Sequence, residues 1–579
     1  VCRNTPPAPL SRGELKSSLQ KAAKFKGMKK MPKIVVIGID SATFDIIEPL
    51  VNQGKLPVFA RFMKDGVWGR LRSTIPPVTP PAWTSFMTGK NPGKHGVFDF
   101  YGYTTGGYER PVINSEFNKA KTLWRILSEN SQKVGIINVP LTYPPEQVNG
   151  FLIPGMQYAF NVDKGFTYPK DLLSEIEGKF GKYEVIFGDE RSLYTNELDH
   201  FISKWKEITA RRQEIILYLL DKYETDFFMA VFYSIDPIQH HFWKFYDRNH
   251  PQYDEELAKK YKDVIPEFYQ LIDANIGQIL DKVDKNTAVF IISDHGAGSH
   301  GGGFFINKWL MKKKLLKIKK RYYPLLWIRW PHIFFKILRR LGHPAIAWTI
   351  PMLFYTQLKN KVDPREGLRL SQMIDWKKTK AYSGNYTEQG IYINLKGREV
   401  DGIVDKDEYP KLRDYIADAL YNLIDPKTKT KVVDTVFKKE DVYHGPYVEF
   451  APDLFVVMKG GDVLLQKDIH CEMFSRNPHI SGTHRIDGIF IAKGSMLNES
   501  LKLENLNIVD LSPTILYLLG VEIPEDMDGR VLKEIIKDDF LKHYPIRYGH
   551  SSSLVKQEGA FDKGESDEIR EKLRNLGYA

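Results

Sequence analysis

Six stretches of the chain consist almost entirely of apolar, often β-branched residues and run into polar turn residues. They are KIVVIGID (33–40), KVGIINVP (133–140), DFFMAVFYSID (226–236), TAVFIISDHG (287–296), DLFVVMKG (453–460) and DGIFIAKG (487–494). Continuous rather than alternating hydrophobicity is typical of strands covered on both faces, as in parallel sheets flanked by helices. The pattern therefore predicts an α/β fold with a largely parallel central sheet.

Between these runs the apolar residues recur at helical spacing. Residues 201–223 and 265–283 show this spacing and are predicted to be helices that cover the sheet. A third helix is predicted to begin near Asp510, with Pro513 in its first turn, and to end at Gly520.

The chain has 579 residues, whereas single hydrophobic cores seldom grow past ~250–300 residues. We expect a core formed by residues 32–300 and 441–545, interrupted by a cap or insert at 301–440. Residues 1–31 are predicted to be a disordered basic tail without the apolar stretch of a secretory signal. Residues 546–579 are predicted to be a linker followed by a short charged helix.

Charge and cysteine content indicate a local basic surface and the cellular compartment of the protein. Lys and Arg number 83 against 72 Asp and Glu, and 14 of the basic residues lie in the stretch 296–361, which contains no acidic residue. The rest of the chain is therefore slightly acidic, so the basicity belongs to one local surface. The cysteines are Cys2 and Cys471, which offer no disulfide framework, so a reducing, cytoplasmic compartment is expected.

The basic segment 306–361 interleaves Lys and Arg with Trp, Tyr, Phe and Leu, and prolines divide it into short pieces. No piece reaches the ~18 apolar residues that a transmembrane helix needs. Three interpretations stay open: helices lying on an anionic membrane, a cap over the site that also packs against another subunit, and, least favoured, nucleic-acid binding. Exposed aromatic residues in this segment would favour a homo-oligomer.

Carboxylate and imidazole side chains gather where the predicted strands end. The residues are Asp40, Asp236, His240, Asp294, His295 and His484. Ligands of open α/β sheets bind at the carboxyl ends of the strands, and buried, unpaired carboxylates would repel one another there. Divalent cations remove this difficulty, and mixed Asp and His ligation suits Zn²⁺ first and Mn²⁺ second. Six ligands are about right for two ions, a standard arrangement for phosphoryl transfer.

A hydroxyl nucleophile is expected at the same edge. In STIPPVTPPAWTSFMTG (73–89), Thr79 stands between prolines that fix the backbone. Thr84, Ser85 and Thr88 are rivals on composition alone. The stretch from Thr84 to Thr88 is predicted to start a helix that Gly89 and Pro92 end.

The ordered set GID, PPVTPPAWTSFMTG, DPIQHH, SDHG and GTH closely resembles the alkaline-phosphatase superfamily, specifically its type I phosphodiesterase and nucleotide pyrophosphatase branch. Within that branch the chain looks most like predicted archaeal and bacterial phosphohydrolases or phosphomutases, through NKWL (307–310), GIYINLKGRE (390–399) and PEDMDGRVL (524–532). The resemblance covers about residues 32–545. It implies an alkaline-phosphatase-like three-layer sandwich with an inserted cap.

The resemblance also implies a ligand set and a reaction. One ion would be held by Asp236, His240 and His484, and the other by Asp40, Asp294, His295 and the Thr79 oxygen. Thr79 would attack phosphorus and form a phosphothreonine that water then hydrolyses, cleaving a phosphodiester or pyrophosphate bond. A phosphomonoesterase or phosphomutase is the alternative. A non-catalytic, membrane-associated metal-binding scaffold is disfavoured, because all six ligands and the nucleophile are present.

One position departs from the resemblance. Nucleotide pyrophosphatases carry, 21 residues after the nucleophile, an Asn that contacts a phosphate oxygen, and this chain has Phe100 there. The phosphate pocket is therefore expected to differ. Candidate substrate contacts are Phe100, Tyr101, Tyr103, Asn138, Asn385 and Arg398.

Overall fold

The computed structural model describes residues 33–103, 107–156, 165–185, 198–322, 370–384, 389–426, 428–469, 472–475, 480–550 and 569. Several sequence predictions lie outside these residues. They are the N-terminal tail, both cysteines, Asn385, most of the basic segment and the C-terminal charged helix.

An eight-stranded sheet forms the centre of the molecule. Its strands are β1 (Ile34–Ile39), β2 (Val67–Arg72), β3 (Val134–Ile137), β4 (Gly150–Ile153), β5 (Phe227–Phe232), β6 (Ala288–Ile292), β16 (Asp487–Lys493) and β17 (Leu501–Asn507). They stand in the order β17-β2-β16-β6-β1-β5-β3-β4. All neighbours pair in parallel except β16, which runs antiparallel to both β2 and β6. The predicted α/β fold with a largely parallel sheet is confirmed.

The remaining strands form smaller sheets outside the central one. They are β7 (Gly296–Ser299), β8 (Gly302–Phe305), β9 (Ala381–Tyr382), β10 (Gly390–Ile393), β11 (Val433–Lys438), β12 (Leu454–Met458), β13 (Val463–Gln466), β14 (Phe474–Ser475), β15 (Gly482–Arg485), β18 (Ile523–Pro524) and β19 (Tyr548–Gly549). One sheet has the order β11-β12-β10-β9, another β13-β8-β14, and β15 pairs with β7.

The described helices lie between and around these sheets. They are α1 (Phe44–Asn52), α2 (Pro57–Asp65), α3 (Thr79–Thr88), α4 (Pro92–His95), α5 (Leu123–Glu129), α6 (Leu172–Phe180), α7 (Leu198–Lys222), α8 (Ile235–Tyr246), α9 (Glu255–Tyr261), α10 (Val264–Leu280), α11 (Ile306–Lys312), α12 (Leu370–Met373), α13 (Tyr409–Tyr421), α14 (Lys439–Val442), α15 (Leu511–Leu518) and α16 (Asp538–His543). The predicted helices α7, α10 and α15 are confirmed within a few residues. Their buried faces pack into the main hydrophobic core together with the central sheet.

Two local predictions are wrong. The strand predicted at residues 453–460 exists as β12, but it pairs antiparallel with β10 and β11 and lies outside the central sheet. A short apolar run shows that a strand is buried but does not show which sheet buries it. The helix predicted to start near Thr84 begins at Thr79, because Pro80 and Pro81 fall in its first turn, where the missing N–H of proline costs nothing.

A second hydrophobic core lies between the small sheets and α13. It draws its buried residues from positions 304–469, including Phe304, Trp309, Tyr392 and Val456. Where the structure describes the basic segment, Leu315, Leu316 and Ile318 are buried in this core while the surrounding lysines are exposed. Among the described residues, no helix has the length and apolar content to cross a bilayer.

The register of the central strands determines where their polar ends meet. Ile39 of β1 lies opposite Phe232 of β5, and Gly38 lies opposite Ile292 of β6. The three strands are parallel and end level, so the residues that follow them emerge at one edge of the sheet.

Candidate metal centre

The first group of candidate ligands joins a helix to a strand. Helix α8 begins three residues after β5 and carries Asp236 in its first turn and His240 one turn later, so both side chains share a face. His484 is supplied by β15. The Asp236 Oδ1 lies 3.3 Å from the His240 Nε2 and 3.5 Å from the His484 Nε2, and the two imidazole Nε2 atoms are 3.1 Å apart. We call this set the helix half-site.

The second group lies at the ends of β1 and β6. Asp40, Asp294 and His295 are completely buried. The His295 Nε2 is 3.2 Å from the Asp294 Oδ2 and 3.7 Å from the Asp40 Oδ1. The Thr79 Oγ1 is 3.3 Å from the same Nε2 atom. We call Asp40, Asp294 and His295 the strand half-site.

The two half-sites are neighbours. The rings of His295 and His484 are stacked, with centroids 3.8 Å apart and planes 24° apart. The two half-sites are therefore in contact through one imidazole ring from each. The two ligand sets are therefore adjacent, and we call the space that their side chains surround the cleft.

All three histidines are oriented in the same way. The Nδ1 atoms of His240, His484 and His295 face the backbone oxygens of Gly482, Pro77 and Gly296 at 2.8, 2.9 and 3.1 Å. A carbonyl only accepts hydrogen bonds, so each Nδ1 carries the proton and donates it. Each Nε2 then presents a lone pair to the cleft, which is how metal-binding histidines are usually fixed.

The electrostatics of the strand half-site call for a cation. Burial and the charges of Asp294 and Asp236 raise the pKa of Asp40 well above its ordinary value. Burial raises the pKa of Asp294 and, together with His484, lowers the pKa of His295. Among the described residues, no group makes a hydrogen bond of normal geometry to either oxygen of Asp40 or to the Oδ2 of Asp294. A divalent cation would supply the positive charge that these buried oxygens lack.

In the helix half-site the negative charge of the carboxylate is already compensated by neighbouring imidazoles. Burial opposes ionisation of Asp236, but the adjacent His240 and His484 hold its pKa well below the ordinary value. Burial also opposes the charged form of His240, yet Asp236 raises the pKa of that histidine. The set combines one carboxylate and two imidazoles, a donor set that suits Zn²⁺. The residues of both half-sites thus fit divalent cations.

Helix α3 places Thr79 at the edge of the strand half-site. Thr79 is the first helical residue and is completely buried. The helix approaches β1 closely because Gly38 has no side chain: a Cβ there would come within 2.6 Å of the Trp83 ring. Two of the rival hydroxyls make other contacts, Ser85 with the His95 Nε2 at 3.0 Å and Thr88 with the Thr84 carbonyl at 2.7 Å. The Thr84 hydroxyl is buried and makes no hydrogen bond to a described residue.

The candidate substrate contacts lie in varied surroundings. Phe100 and Tyr101 belong to the main hydrophobic core. Asn138 follows β3, where its amide nitrogen donates to the Val231 carbonyl at 3.2 Å and its oxygen accepts from the Tyr183 hydroxyl at 3.2 Å. These contacts hold the strand ends together, so a role in substrate binding stays a prediction for all three residues.

Arg398 is engaged in a buried ion pair. Its guanidinium makes two 2.7 Å hydrogen bonds to the carboxylate of Asp453, which is completely buried. Burial opposes the ionisation of Asp453, but Arg398 and Lys439 lower the pKa of this carboxyl to about 2. Arg398 also borders an open cleft that Tyr103 lines from the core side. These contacts give Arg398 a structural role, and a role in substrate binding stays a prediction.

Sequence reasoning missed the polar residues that support the ligands. Ser41 follows Asp40 with a positive φ of 66°, and its N–H donates to the Asp294 Oδ1 at 3.3 Å. Gln239, next to His240, donates to the Ser41 carbonyl at 2.9 Å. Hydroxyl and amide side chains are common in every part of a protein, so the signals available were that Ser41 adjoins Asp40 and Gln239 adjoins His240.

The sequence model described as Type I phosphodiesterase / nucleotide pyrophosphatase matches residues 34–343, more than half of the chain. The chain therefore belongs to this family, which is part of the alkaline-phosphatase superfamily, and is a metal-dependent hydrolase of phosphoric ester or anhydride bonds.

The chain is also similar to several solved structures. Murine ectonucleotide pyrophosphatase/phosphodiesterase 5, solved as an inactive variant with AMP, is 13% identical, with 85% of this chain and 95% of that chain covered and a TM-score of 0.45. For the human protein of that name the values are 14%, 88%, 99% and 0.45. Phosphonoacetate hydrolase from Sinorhizobium meliloti 1021, in complex with phosphonoformate, is 13% identical, with 84% and 94% covered and a TM-score of 0.48.

Proposed function

We propose that the protein is a two-metal phosphohydrolase that cleaves phosphodiester or pyrophosphate bonds through a phosphothreonine at Thr79. The observation that carries the proposal is the convergence of three Nε2 atoms, three buried carboxylates and the Thr79 hydroxyl in one cleft. Family membership supports the class of reaction but leaves the residues and the intermediate to be tested.

The helix half-site and the strand half-site would each hold one divalent cation, with Zn²⁺ expected first and Mn²⁺ second. Such a pair, when bound, neutralises phosphoryl oxygens and favours ionised oxygen nucleophiles. The His295 Nε2, its lone pair directed into the cleft, lies within contact distance of the Thr79 oxygen. The position of Thr79 at the N-terminus of α3 adds a partial positive charge that favours a bound phosphate.

The proposed reaction has two displacements at phosphorus. The Thr79 hydroxyl gives up its proton and its oxygen forms a bond to phosphorus while the bond between phosphorus and the leaving oxygen breaks. The leaving group departs after taking up a proton. The oxygen of a water molecule then bonds to phosphorus, and the Thr79 oxygen is released with its proton restored. Because the same group is both nucleophile and leaving group, loss of its hydroxyl removes both steps.

A phosphomonoesterase or a phosphomutase of the same superfamily is the alternative, and the observation that favours it is Phe100. In the position where nucleotide pyrophosphatases carry a phosphate-binding Asn, this chain buries an apolar ring in its core. A non-catalytic scaffold is disfavoured, since a protein that only binds metal has no need for Thr79 beside the strand half-site.

The test is hydrolysis of bis-p-nitrophenyl phosphate against p-nitrophenyl phosphate, with Zn²⁺ or Mn²⁺ restored after chelation. We expect metal-dependent turnover in the wild type, its loss in Thr79→Ala and its partial return in Thr79→Ser. Thr88→Ala is the matched control, because the hydroxyl of Thr88 bonds within its own helix. Full activity of Thr79→Ala would reject the nucleophile, and preference for the monoester would select the alternative.

We also propose that the segment 306–361 attaches the enzyme to an anionic membrane surface. The support is its 14 basic residues without an acidic neighbour and, in the described part, exposed lysines at 312–314 and 317. Flotation with vesicles containing phosphatidylserine should carry the protein upward at low salt. Absence from the floated fraction would reject the membrane role and leave the cap role, which the burial of Leu315 and Leu316 favours.

A further inference from the structure

Gln239 links the two half-sites directly. It follows Asp236 by three residues on α8 and immediately precedes His240, so it belongs to the helix that builds the helix half-site. Its amide nitrogen donates to the backbone carbonyl of Ser41 at 2.9 Å. Ser41 follows Asp40 of the strand half-site, 198 residues away along the chain.

The other end of the amide is fixed as well. The Gln239 Oε1 accepts a hydrogen bond from the Tyr269 hydroxyl at 3.1 Å, and that hydroxyl accepts one from the Thr43 N–H at 3.1 Å. Gln239 and Tyr269 are each 1% exposed. With both ends bonded, the amide cannot turn over without leaving buried groups unpaired, which costs about 1–3 kcal/mol per group.

The loop that Gln239 holds is under conformational strain. Ser41 adopts a positive φ of 66°, which non-glycine residues seldom do. In this conformation its N–H reaches the Asp294 Oδ1 at 3.3 Å, and its carbonyl faces Gln239. The bond to Oδ1 leaves the Oδ2 of Asp294 directed toward His295. Bonds from the helix side therefore contribute to the placement of two carboxylates on the strand side.

We propose that Gln239, held by Tyr269, is a positioning residue that couples the helix half-site to the strand half-site. The inference rests on the proposed metal centre. With an ion bound in the helix half-site, Asp236 and His240 would be fixed, and with them α8 and Gln239. Gln239 would then hold the Asp40–Ser41 turn in the geometry suited to the second ion. Binding at one half-site accordingly favours binding at the other, and the coupling is reciprocal.

The experiment measures the affinities of the two ions by competition with a chromophoric chelator, using Zn²⁺ alone and the full chain. For Gln239→Met, which keeps length and packing but loses the amide's hydrogen bonds to Ser41 and Tyr269, we expect the weaker affinity to fall about 10–100-fold, the range typical of groups that orient metal ligands. Tyr269→Phe keeps the ring but loses the donor to the Gln239 Oε1 and the acceptor of the Thr43 N–H. Because the bond from Gln239 to Ser41 is kept, a smaller fall in the same direction is expected.

A matched control separates positioning from general loss of a buried amide. Gln213 is also buried, and its amide nitrogen donates to the Asn275 carbonyl at 3.0 Å and the Gln278 Oε1 at 3.1 Å, away from the ligands. Gln213→Met should leave both zinc affinities within about twofold of the wild type. Circular dichroism of the metal-free variants confirms that each is folded before titration.

A second variant tests whether Gln239 acts on the strand half-site. With Asp294→Asn, which removes one carboxylate of the strand half-site, adding Gln239→Met should change the remaining tight affinity by less than about threefold. A large change there would mean that Gln239 supports only its own helix, and the coupling would be rejected. Folded Gln239→Met and Tyr269→Phe that bind both ions like the wild type would also reject it. A wild type that binds fewer than two ions would instead reject the metal centre itself.

Discussion

His95 should make the stability of the protein fall in mild acid. It is completely buried beneath α3, the helix that carries Thr79. The Val97 N–H donates to its Nδ1 at 3.2 Å, so its Nε2 carries the proton and donates to the Ser85 hydroxyl at 3.0 Å. Burial lowers the pKa of His95 from 6.5 to about 3, while Asp528 and Lys90 act in opposite directions.

The sign and size of the effect follow from proton binding. Below pH 6.5 the unfolded chain takes up a proton at this position, whereas the folded chain does not until about pH 3. The contribution of His95 to stability is therefore complete above pH 6.5 and is lost progressively as the pH falls toward 3. With these two pKa values, about 2 kcal/mol of unfolding free energy is lost between pH 8 and pH 5.

The perturbation is His95→Gln, and the assay is urea unfolding followed by tryptophan fluorescence at pH 8 and pH 5. The variant should start less stable at pH 8, since its hydrogen bonds are altered, but should lose about 2 kcal/mol less than the wild type on acidification. Other buried histidines contribute equally to both proteins and cancel in the difference. His543→Gln, at an exposed position, should follow the wild type. Equal losses in His95→Gln and the wild type would refute the reasoning.

Three further predictions concern the insert and the metals. Asp453→Asn should lower the unfolding free energy by about 3–5 kcal/mol, because the buried Lys439 loses the negative charge of its ion pair and Arg398 is left with Glu399; a melting temperature equal to that of the wild type would contradict this. Asp528→Ala should cost about 2–3 kcal/mol, since this carboxylate accepts from the Asn91 N–H at 2.7 Å and contacts His444 at 2.8 Å; a lower melting temperature is the expected readout, and an unchanged one would contradict it. Zn²⁺ at 100 times its Kd should raise the unfolding free energy of the protein by about 2.7 kcal/mol for each half-site that it fills. In calorimetry, His240→Ala should lose one of these two increments. A zinc-induced stabilisation equal to that of the wild type would exclude His240 as a ligand.

The main lines of the fold could be predicted because a strand buried on both faces is apolar at nearly every position. The runs that became β1, β5 and β6 are apolar at every position, and the structure buries every one of those residues. Strand β2, between β17 and β16, is less clearly marked in the sequence. β2 reads VWGRLR and alternates between buried and exposed positions, so its apolar content is too low to mark a central strand.

The start of α3 shows where local rules compete. Two prolines after Thr79 predict a turn when the following residues are ignored, but they are equally compatible with the first turn of a helix. A tertiary contact selects the helix: Trp83 packs against Gly38 of β1, so the segment lies directly on the sheet. Neither partner signals this contact in its own stretch of sequence.

The candidate ligands could be found because their position is set by topology. Parallel strands deliver their last residues to one edge, so Asp40 and Asp294 are brought together by the register of β1 against β6 alone. His484 reaches the cleft by another route, on β15, which pairs antiparallel with β7 directly after His295. The sequence marked this histidine only by its place before a strand.

Arg398 shows the limit of reasoning from residue type. A guanidinium in a family that handles phosphate suggests an anion contact, but the same group is the usual partner of a buried carboxylate. Asp453 lies 55 residues further on, at the start of a strand that the apolar pattern had assigned to the central sheet. Once that strand pairs with β10, Asp453 faces Arg398 and the arginine is committed to the insert. The strand was misplaced because an apolar run shows that a segment is buried but not which strand it pairs with. A role of Arg398 in substrate binding stays a prediction beside its part in this ion pair.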